Sequence, residues 1–482
     1  MLGKKDRQER LVMIGGLRSL LPDDHILVKV QRVLDLSWLR AEVQDAYCLD
    51  NGKPSIDPEA ALRLMLAGFL LGIVHDRELL REAQVNLAIR WFAGYALDET
   101  LPHASNLTRL RQRWGQDRFR RIFERTVHDC VAAGLVKGQT LHVDGTLIRA
   151  NVSWESLTTE HVRRVWDANE EAEESDHEQD PPPTAAGATQ PDKAKKRSRT
   201  DPDATMTTAR RDQRLEPSYK EHVAVDDEAG VVVAVQLTTG EVNEGRQLPA
   251  LLVEAEANTG RAPETVTADG GYAHPANYEL LEARKIEAVI PPSLTKGRAV
   301  RWPLARFKYD AKHHVVRCPG GKMLTRRTRV KNGWVYRASR ATCQGCPLFS
   351  QCVPATAKAR MVLIVDGYEA LLRVRRRWRR RGAKERHLYG RHRWRVEGAH
   401  AEAKQRHGMR RAVRWGLANV AIQVYLTAAV MNLKRLAALP YHLTTCFWRS
   451  IREKSFTERL WSWLERIGLS LRPYAAPLTI GD

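Results

Sequence analysis

The segment TLHVDGTLIRA, residues Thr140–Ala150, marks the point where the sequence changes from helical to strand-forming patterns. It is a β-branched run with Asp-Gly at its centre, and a second apolar run, ETVTADGGYA (Glu264–Ala273), also leads into Asp-Gly. Between them, YKEHVAVDDEAGVVVAVQLTTG (Tyr219–Gly240) places two strand patterns on either side of DDEAG, as expected of a β-hairpin. Helical patterns alternate with these strands. We therefore predict an α/β fold, in which a mixed sheet flanked by helices forms the first part of a core over residues 139–291.

The preceding residues, 1–138, have all-helical patterns. In DPEAALRLMLAGFLLGIV, Asp57 is placed to cap a helix that begins at Pro58. In PHASNLTRLRQRWG, Ser105 is the expected cap of a later helix. The basic residues of that helix are Arg109, Arg111 and Arg113. A basic helical module either binds DNA or presents a solvated charged face, and we predict a DNA-binding or dimerisation domain here.

The remaining residues divide into segments of different composition. Residues 167–205 run through acidic, proline-rich and basic blocks, which cannot bury enough apolar surface to offset the entropy of ordering, so we predict a mobile insertion. Residues 292–366 contain four of the seven cysteines. Helical patterns return over 367–436, a basic segment that we predict completes the core, and residues 437–482 are predicted to form a helical tail.

The overall charge indicates the kind of partner. The 482 residues carry a formal net charge of +21, and this favours a polyanion, because Lys and Arg laid against phosphates release condensed counterions. The most apolar stretch, Ala60–Val74, is only 15 residues long and includes Arg63, so we expect a buried helix and no membrane partner. The N-terminus lacks the apolar run of a signal peptide, and an odd number of cysteines argues against a disulfide framework. These features predict a cytoplasmic protein.

Three carboxylates have positions that suit catalysis. Asp144 and Asp269 are each expected to close a buried strand, with a glycine next that lets the chain turn. Two strand-end carboxylates of one sheet converge at its carboxyl edge, and a divalent cation relieves their repulsion. Glu397 is a candidate third ligand. Such a set of oxygen ligands suits two Mg²⁺ or Mn²⁺ ions, which would support in-line attack at a phosphodiester. Taken singly, an Asp-Gly is more often a turn and an Arg–Glu pair more often a surface ion pair.

The segment RHRWRVEGAHAEAK (Arg391–Lys404) surrounds that glutamate with cations. If residues 386–407 form a helix, the spacing places Arg393, Glu397 and Lys404 on one face. Residues 373–414 contain 17 Lys/Arg and three Glu, a net charge of +14. Basic helices are often merely solvated, but this density around a candidate metal ligand indicates a DNA-binding surface.

The cysteine-rich module contains a potential zinc site. Its four cysteines are Cys318, Cys343, Cys346 and Cys352. Four thiolates would bind a structural Zn²⁺ tetrahedrally and stabilise an otherwise thin module. Because the C-x5-C spacing is loose, His313 or His314 is an alternative ligand, and a reduced thiol cluster packed as core is the alternative to zinc. The isolated cysteines are expected to be buried apolar residues: Cys48, Cys130 and Cys446.

Taken together, these motifs resemble the DDE transposases of bacterial insertion sequences, the superfamily with a Tyr-Arg-Glu-Lys signature. Within it, the sequence is most similar to the group numbered eleven-eighty-two. The resemblance covers most of the chain, from IDPEAALRLMLAGFLLGI through HVDGTLIRANVS and TADGGYAHPANYELL to RVEGAHAEAKQRHGMRRAVRWGLANVAIQVYLTAAVMNLKRL. It implies an RNase H-like catalytic core with Asp144, Asp269 and Glu397 as its triad.

The signature itself can be aligned residue by residue. Arg393, Glu397 and Lys404 fit the spacing R-x3-E-x6-K. The signature tyrosine would fall on Gly390, whereas Tyr389 lies one residue earlier. Glu402 is the rival third acid, but its spacing to the lysine is wrong. The resemblance implies that the signature Arg and Lys contact DNA, and the residues we predict to bind DNA are Tyr389, Arg391, Arg393, Arg395, Lys404, Arg410 and Arg411.

The resulting functional hypothesis is an active transposase. It would bind the inverted-repeat ends of an insertion sequence as double-stranded DNA, nick them with metal-activated water, and join the 3′-hydroxyl to target DNA. The family implies a homodimer on DNA. Two alternatives are a metal-dependent nuclease without strand transfer and a non-catalytic DNA-binding relative.

Overall fold

A computed structural model describes residues 15–48, 55–152, 157–158, 197–198, 200–207, 215–292, 302–353 and 357–439. Most of the predicted mobile insertion and nearly all of the predicted C-terminal tail therefore lie outside the described residues. Among those that are described, no single helix is both long and apolar enough to cross a membrane; two helices, Pro58–Leu71 and Asp76–Val85, meet that test only as a pair bent by 94°.

The N-terminal region is helical, as predicted. Its helices are α1 (Ile26–Gln31), α2 (Leu39–Val43), α3 (Pro58–Leu71), α4 (Asp76–Val85), α5 (Leu87–Ala93) and α6 (Ala104–Ala132). Short 3₁₀ turns cover Leu17–Leu20 and Gln44–Ala46. Asp57 caps α3 by accepting hydrogen bonds from the backbone N–H groups of Glu59 and Ala60, which confirms the sequence prediction. The cap of α6 is His103 rather than Ser105: its ring nitrogen accepts from the Ser105 N–H, so the helix begins earlier than predicted.

The core sheet is mixed. Its strands are β1 (Thr140–Arg149), β4 (Thr205–Thr207), β5 (Glu216–Asp226), β6 (Val232–Thr239), β7 (Thr265–Ala268) and β8 (Glu287–Val289). A separate pair consists of β2 (Leu157–Thr158) and β3 (Arg197–Ser198). The sheet order is β4-β5-β1-β7-β8, and β6 also pairs with β5. The strands β1, β5 and β6 are antiparallel neighbours, whereas β7 runs parallel to β1 and β8 parallel to β7.

The predicted insertion ends earlier in the chain than expected. Asp201 and Thr205 lie inside the range that the composition assigned to it, yet both are buried, and Thr205 begins β4. Asp201 accepts hydrogen bonds from the Tyr219 hydroxyl and the Gly416 N–H. Residues 200–205 therefore belong to the core, because partners far along the chain satisfy their polar groups.

The cysteine-rich module carries two small antiparallel sheets. One consists of β9 (Lys308–Asp310), β10 (Val315–Arg317) and β11 (Met323–Leu324), and the other of β12 (Arg326–Val330), β13 (Gly333–Arg337) and β14 (Met361–Val365). The remaining 3₁₀ turns are Glu244–Gln247, Gly270–Tyr272 and Leu304–Arg306.

The helices that follow the sheet strands complete the fold. They are α7 (Leu248–Thr259), α8 (Pro275–Ala283), α9 (Arg340–Gln344), α10 (Phe349–Cys352), α11 (Tyr368–Arg379), α12 (Ala383–Arg406) and α13 (Leu417–Ala437). The strand β7 is buried along its whole length, since α12 packs against both β1 and β7. Helices α7 and α13 pack against β6, and α13 also packs against α6 and α3. One continuous hydrophobic core therefore joins the N-terminal helices to the sheet.

Candidate active site

The two aspartates lie side by side on neighbouring strands. The parallel pairing of β1 with β7 sets Val143 opposite Ala268, so Asp144 and Asp269 each come one residue later. Asp269 ends its strand, as predicted, and caps the following 3₁₀ turn by accepting a 2.8 Å hydrogen bond from the Gly271 N–H. The sequence prediction that the two carboxylates meet at one place in the sheet agrees with this register.

The prediction that Asp144 closes a strand is wrong. The strand β1 continues to Arg149, and Asp144 pairs with Val223 while Gly145 pairs with His222. The chain does not turn at Gly145 because the long antiparallel partner β5 extends the hydrogen-bond ladder beyond it. Asp144 therefore projects from the middle of a strand, at the level where the shorter β7 stops.

Glu244 is a third acid at this position, and the sequence patterns did not identify it. A Cβ added at Gly145 would lie 3.1 Å from Glu244 Cγ, and one added at Gly271 would lie 2.9 Å from Glu244 Oε2. The Glu244 side chain thus fits against the glycines beside both aspartates. Lys220 Nζ lies 3.5 Å from its Oε1. Glu244 belongs to a 3₁₀ turn about 100 residues after Asp144, and no motif of the sequence links the two.

The close approach of these acids changes their titration. Burial, together with the charges of Glu244 and Asp144, raises the pKa of Asp269 to about 6. Burial on its own would also raise the pKa of Asp144, but His400 outweighs it, and the pKa lies below its ordinary value. His400 Nε2 is 3.5 Å from Asp144 Oδ2. A crowded carboxylate group of this kind attracts a cation.

His400 and Lys404 connect α12 to the strand of Asp144. His400 Nδ1 lies 3.9 Å from Glu221 Oε2, on β5. Burial raises the pKa of Glu221, while His400 and Lys404 oppose that rise. Lys404 Nζ donates a 2.6 Å hydrogen bond to Thr146 Oγ1. Burial lowers the pKa of Lys404, with the charge of Glu221 opposing. Lys404 is therefore held at the sheet by a threonine that lies two residues after Asp144.

Glu397 lies on the predicted helix but faces solvent. Its carboxylate is 63% exposed and accepts a 3.2 Å hydrogen bond from Arg393 Nε. Burial lowers the pKa of His392 to about 4, and the charges of Asp144 and Glu397 oppose that shift. Over the described ranges, no group of three or more His, Cys, Asp or Glu side chains is arranged to hold a metal ion.

A buried hydrogen-bonded chain lies beneath the aspartates. His142 Nε2 is 2.8 Å from Asp227 Oδ1, and His142 Nδ1 is 2.6 Å from Thr267 Oγ1. Thr267 Oγ1 is in turn 3.0 Å from His392 Nδ1. A neutral His142 donates its Nε2–H to the Asp227 carboxylate and accepts at Nδ1 from the Thr267 hydroxyl. The oxygen of that hydroxyl in turn accepts from the Nδ1–H of His392. The chain joins β1 and β7 to α12 at the residues next to the site.

The predicted DNA-binding residues fall into two groups. Arg393, Arg410 and Arg411 are exposed. The others are engaged within the protein: Arg391 Nε donates to Asp227 at 2.6 Å, and Arg395 donates to the Glu228 carbonyl at 2.6 Å. These side chains hold α12 against the turn between β5 and β6.

The tyrosine beside the mismatched signature position is also engaged within the protein. Tyr389 stacks on His392 at a ring distance of 5.8 Å and meets Trp378 edge-on at 5.5 Å. Its ring therefore packs against the buried chain beneath the aspartates.

Glu402 is part of an internal ion cluster away from the aspartates. It pairs with Lys434 and, at 2.8 Å, with Arg435, and His407 Nε2 is 3.5 Å away. Burial opposes ionisation, but His407, Arg435 and Lys434 hold the pKa of Glu402 well below its ordinary value. These contacts occupy both carboxylate oxygens, so the geometry favours Glu397 over Glu402 as the signature acid.

The four cysteines of the module line one small cavity of about 30 Å³, whereas neither His313 nor His314 lines it. A Cβ at Gly320 would lie 3.2 Å from Cys346 Sγ and 3.8 Å from Cys318 Sγ. Burial raises the pKa of Cys352, and the three other thiols raise it further, against the opposing effect of Arg360.

The isolated cysteines differ from one another. Cys130 is buried, as predicted, whereas Cys48 is exposed, which contradicts the prediction. Cys48 lies two residues after the 3₁₀ turn Gln44–Ala46. Cys446 lies outside the described residues.

Comparison with known proteins shows that this protein is a transposase. A family model described as a transposase domain matches residues 16–113, and one described as a transposase DDE domain matches residues 194–433. The chain belongs to the DDE transposases, of the kind encoded by insertion sequences. Among solved structures it is similar to a piggyBac transposase synaptic complex with hairpin DNA, at 12% identity and a TM-score of 0.30, over 94% of this chain and 87% of that one. Comparison with curated proteins gives no match.

Proposed function

We propose that this transposase binds the inverted-repeat ends of its insertion sequence, cuts them in a metal-dependent reaction and joins them to target DNA. The single observation that carries the proposal is the parallel register that sets Asp144 beside Asp269, where burial, with the charges of Glu244 and Asp144, raises the pKa of Asp269 to about 6. A divalent cation stabilises carboxylates that crowd one another in this way, in competition with a proton.

Asp144, Asp269 and Glu397 are the residues we propose to hold two Mg²⁺ or Mn²⁺ ions. The donor set fits hard cations, since all three groups offer carboxylate oxygens. When bound, the metal would polarise a phosphodiester and generate the nucleophile from water. Glu244 is the alternative third ligand, because it already lies against the glycines beside both aspartates. The side chain of Glu397 is exposed, and we propose that it contributes once DNA is bound.

Other residues of the chain would bind the DNA and position the reacting groups. The exposed Arg393, Arg410 and Arg411 would contact the DNA phosphates. His400 would orient the Asp144 carboxylate, and Lys404 would place its charge beside the scissile phosphate from its anchor on Thr146.

Several features support finer assignments. The sheet of three antiparallel strands, β6-β5-β1, followed by two strands parallel to β1 supports an RNase H-like core. The motif-level resemblance supports the insertion-sequence group numbered eleven-eighty-two. We further propose DNA binding by the N-terminal helical domain and assembly as a homodimer, because transposition must bring two ends together.

We also propose that the cysteine-rich module binds a structural Zn²⁺. The support is that Cys318, Cys343, Cys346 and Cys352 line one small cavity, although their present arrangement is not a preformed site. A bound zinc would keep the thiols deprotonated. Metal analysis of the purified protein is the test: one zinc per chain that is lost in Cys343→Ser supports the site, and its absence refutes it.

The catalytic proposal is tested with purified full-length protein, Mg²⁺ and linear duplexes taken from the DNA on either side of the reading frame. Nicked ends followed by joined products are expected. Asp144→Asn and Glu397→Gln should abolish both, whereas Glu279→Gln, an exposed acid of α8, is the matched control. Cleavage without joining would favour the nuclease alternative. Binding without cleavage that is unchanged in Asp144→Asn would favour the non-catalytic one.

A further inference from the structure

The cysteine-rich module carries a second concentration of positive charge, separate from the basic segment that surrounds Glu397. Residues 308–340 contain ten Lys/Arg and a single acid, Asp310. The basic residues are Lys308, Lys312, Arg317, Lys322, Arg326, Arg327, Arg329, Lys331, Arg337 and Arg340. All ten are exposed. Asp310 is itself bound by His313, whose Nδ1 lies 2.8 Å from its carboxylate.

These charges have few acidic partners in the protein. Within the described part of the chain, Arg329 is the one member of the group with an ion pair, donating to both oxygens of Asp366 at 2.6 and 2.8 Å. Ten exposed cations in 33 residues repel one another, and this arrangement destabilises the folded state unless a polyanion neutralises it.

The centre of the group is a β-hairpin. Every residue of β12 is exposed, and β12 is an edge strand paired only to β13 within its sheet. The Arg327 guanidinium lies 4.5 Å above the Trp334 ring and that of Arg329 lies 5.7 Å from it. The tryptophan therefore holds two arginines in fixed orientations on the hairpin surface. The exposed edge of this three-stranded sheet, with its guanidinium groups held in place, presents donors of the kind that bind nucleic-acid phosphates.

A simpler explanation is that charge on an edge strand prevents sheets from pairing with each other. That explanation accounts for Arg326, Arg327 and Arg329. It does not account for Lys312, between β9 and β10, or for Lys322, just before β11, which belong to the other small sheet. The charge covers the module rather than its open edge.

The module is fixed to the catalytic core. Tyr309 packs against Tyr336 of the hairpin at 5.9 Å and against Tyr368 of α11 at 6.2 Å. Gly367, just before α11, approaches α8 so closely that a Cβ there would lie 2.6 Å from the Pro275 carbonyl oxygen. Helix α8 begins six residues after Asp269, so the hairpin holds a defined position relative to the strand of that aspartate.

We propose that the basic hairpin Arg326–Arg337, with the neighbouring Lys and Arg of the module, is a second binding surface for the DNA phosphate backbone, separate from the catalytic site. The proposal rests on the proposed function, since it takes DNA as the partner. The hairpin would hold the duplex by charge and contribute no group to the reaction.

The test compares two triple variants of the full chain. The hairpin variant is Arg326→Gln, Arg327→Gln and Lys331→Gln, which spares the Arg329–Asp366 pair. The control variant is Lys137→Gln, Arg261→Gln and Lys285→Gln, three exposed cations near the opposite ends of the parallel strands β1, β7 and β8. Binding to a duplex of about 40 base pairs is measured between about 50 and 200 mM salt.

The hairpin variant should bind roughly tenfold more weakly, and the slope of log K against log salt should fall by about two to three, while the control variant keeps the wild-type values. Cleavage at saturating DNA should be unchanged in both. Equal affinity and slope in the two variants would overturn the proposal, even if the wild-type protein cuts and joins DNA normally. If the wild-type protein fails to cut DNA but the hairpin variant still shows the reduced salt slope, the catalytic proposal alone is refuted.

Two further arms keep the result interpretable. The double variant Arg326→Gln, Lys331→Gln leaves the Arg327–Trp334 contact intact and should show a smaller loss in the same direction. Thermal unfolding checks that both variants fold. Weakened binding of single-stranded RNA with duplex binding unchanged would overturn the assignment to DNA.

Discussion

Lys404 of α12 donates a 2.6 Å hydrogen bond to the hydroxyl of Thr146 on β1. Residues i and i+2 of a strand share a face, so this bond places the ammonium group on the same side of β1 as Asp144. Glu221, the cross-strand partner of Thr146, supplies the opposing charge. Contacts with β1 and β5 therefore fix the position of the Lys404 ammonium group.

Removing that charge should impair cleavage more than folding. Lys404→Met removes the positive charge on the Asp144 side of β1, and a loss of about 1.5–3 kcal/mol of transition-state stabilisation corresponds to a loss of roughly 10- to 100-fold in the cleavage rate. Lys384→Met, at an exposed position of the same helix, is the control. Thr146→Val should produce a smaller loss, because the charge remains. Equal rates for Lys404→Met and Lys384→Met would refute the role assigned to Lys404.

The buried chain through Thr267 provides a second prediction. Thr267 is fully buried and lies within hydrogen-bond distance of both His142 and His392. Thr267→Val removes the hydroxyl that faces the Nδ1 atoms of His142 and His392, although His142 keeps its bond to Asp227, at a cost of about 1–3 kcal/mol in the free energy of unfolding. Because the chain orients α12 against the sheet, cleavage should fall while DNA affinity remains. Thr267→Ser restores the hydroxyl and should recover both; a serine variant as impaired as the valine variant would contradict this.

Substitutions of Glu397 and Glu402, the two acids of the segment Arg391–Lys404, should have different effects on cleavage and on stability. Glu397→Gln should abolish cleavage and leave the free energy of unfolding unchanged, because its carboxylate is exposed. Glu402→Gln should cost about 3–5 kcal/mol, because Lys434 and Arg435 lose their buried partner. The depressed pKa of Glu402 means that its stabilising effect is present above the unfolded-state pKa and is lost as the pH falls through the folded-state value. Chemical unfolding at several pH values, with cleavage assays beside it, distinguishes the two. A stable, inactive Glu402→Gln would reverse the assignment.

Glu254 of α7 should make stability depend on pH in the opposite sense. Burial raises its pKa to about 7, although the Val235 N–H donates to it at 3.2 Å. Between the unfolded value near 4.3 and about 7 the folded state binds more protons, so stability falls as the pH rises through that window, by about 4 kcal/mol in all. Glu254→Gln should reduce the measured slope by the contribution of Glu254, leaving that of Asp269, as measured by urea unfolding from pH 4.5 to 8. Glu279→Gln should leave the slope intact.

Sequence patterns predicted the features that depend on neighbouring residues. The Asp57 cap, the hairpin of β5 and β6 and the turn after Asp269 all follow from local chemistry, and the structure contains each of them. The end of β1 could not be predicted, because it depends on how far β5 extends and not on the Asp-Gly pair. Glu244 was missed for a related reason, since only the folded chain brings its turn to the aspartates.

A buried ion triplet joins the N-terminal helices to the loop between α12 and α13 and provides the last prediction. Arg111 donates to both oxygens of Asp76 at 2.7 and 2.6 Å, and Arg414 adds a third bond at 3.0 Å. Burial lowers the pKa of Arg414 to about 10, with the charge of Arg111 acting in the same direction and Asp76 opposing it. Asp76 therefore neutralises two buried cations from different parts of the chain, and its removal leaves both unpaired.

Asp76→Asn should cost about 3–5 kcal/mol in the free energy of unfolding. It should also lower the cleavage rate, because the loop that Arg414 anchors pairs with the end of β1: the Ala412 N–H donates to the Arg149 carbonyl at 2.8 Å. Arg414→Met should cost less, since the paired Arg111–Asp76 contact survives. Glu78→Gln, an exposed acid of the same helix, is the control for both measurements. If Asp76→Asn destabilises the protein but leaves the cleavage rate of the folded fraction at the wild-type value, the N-terminal helices do not position the catalytic helix.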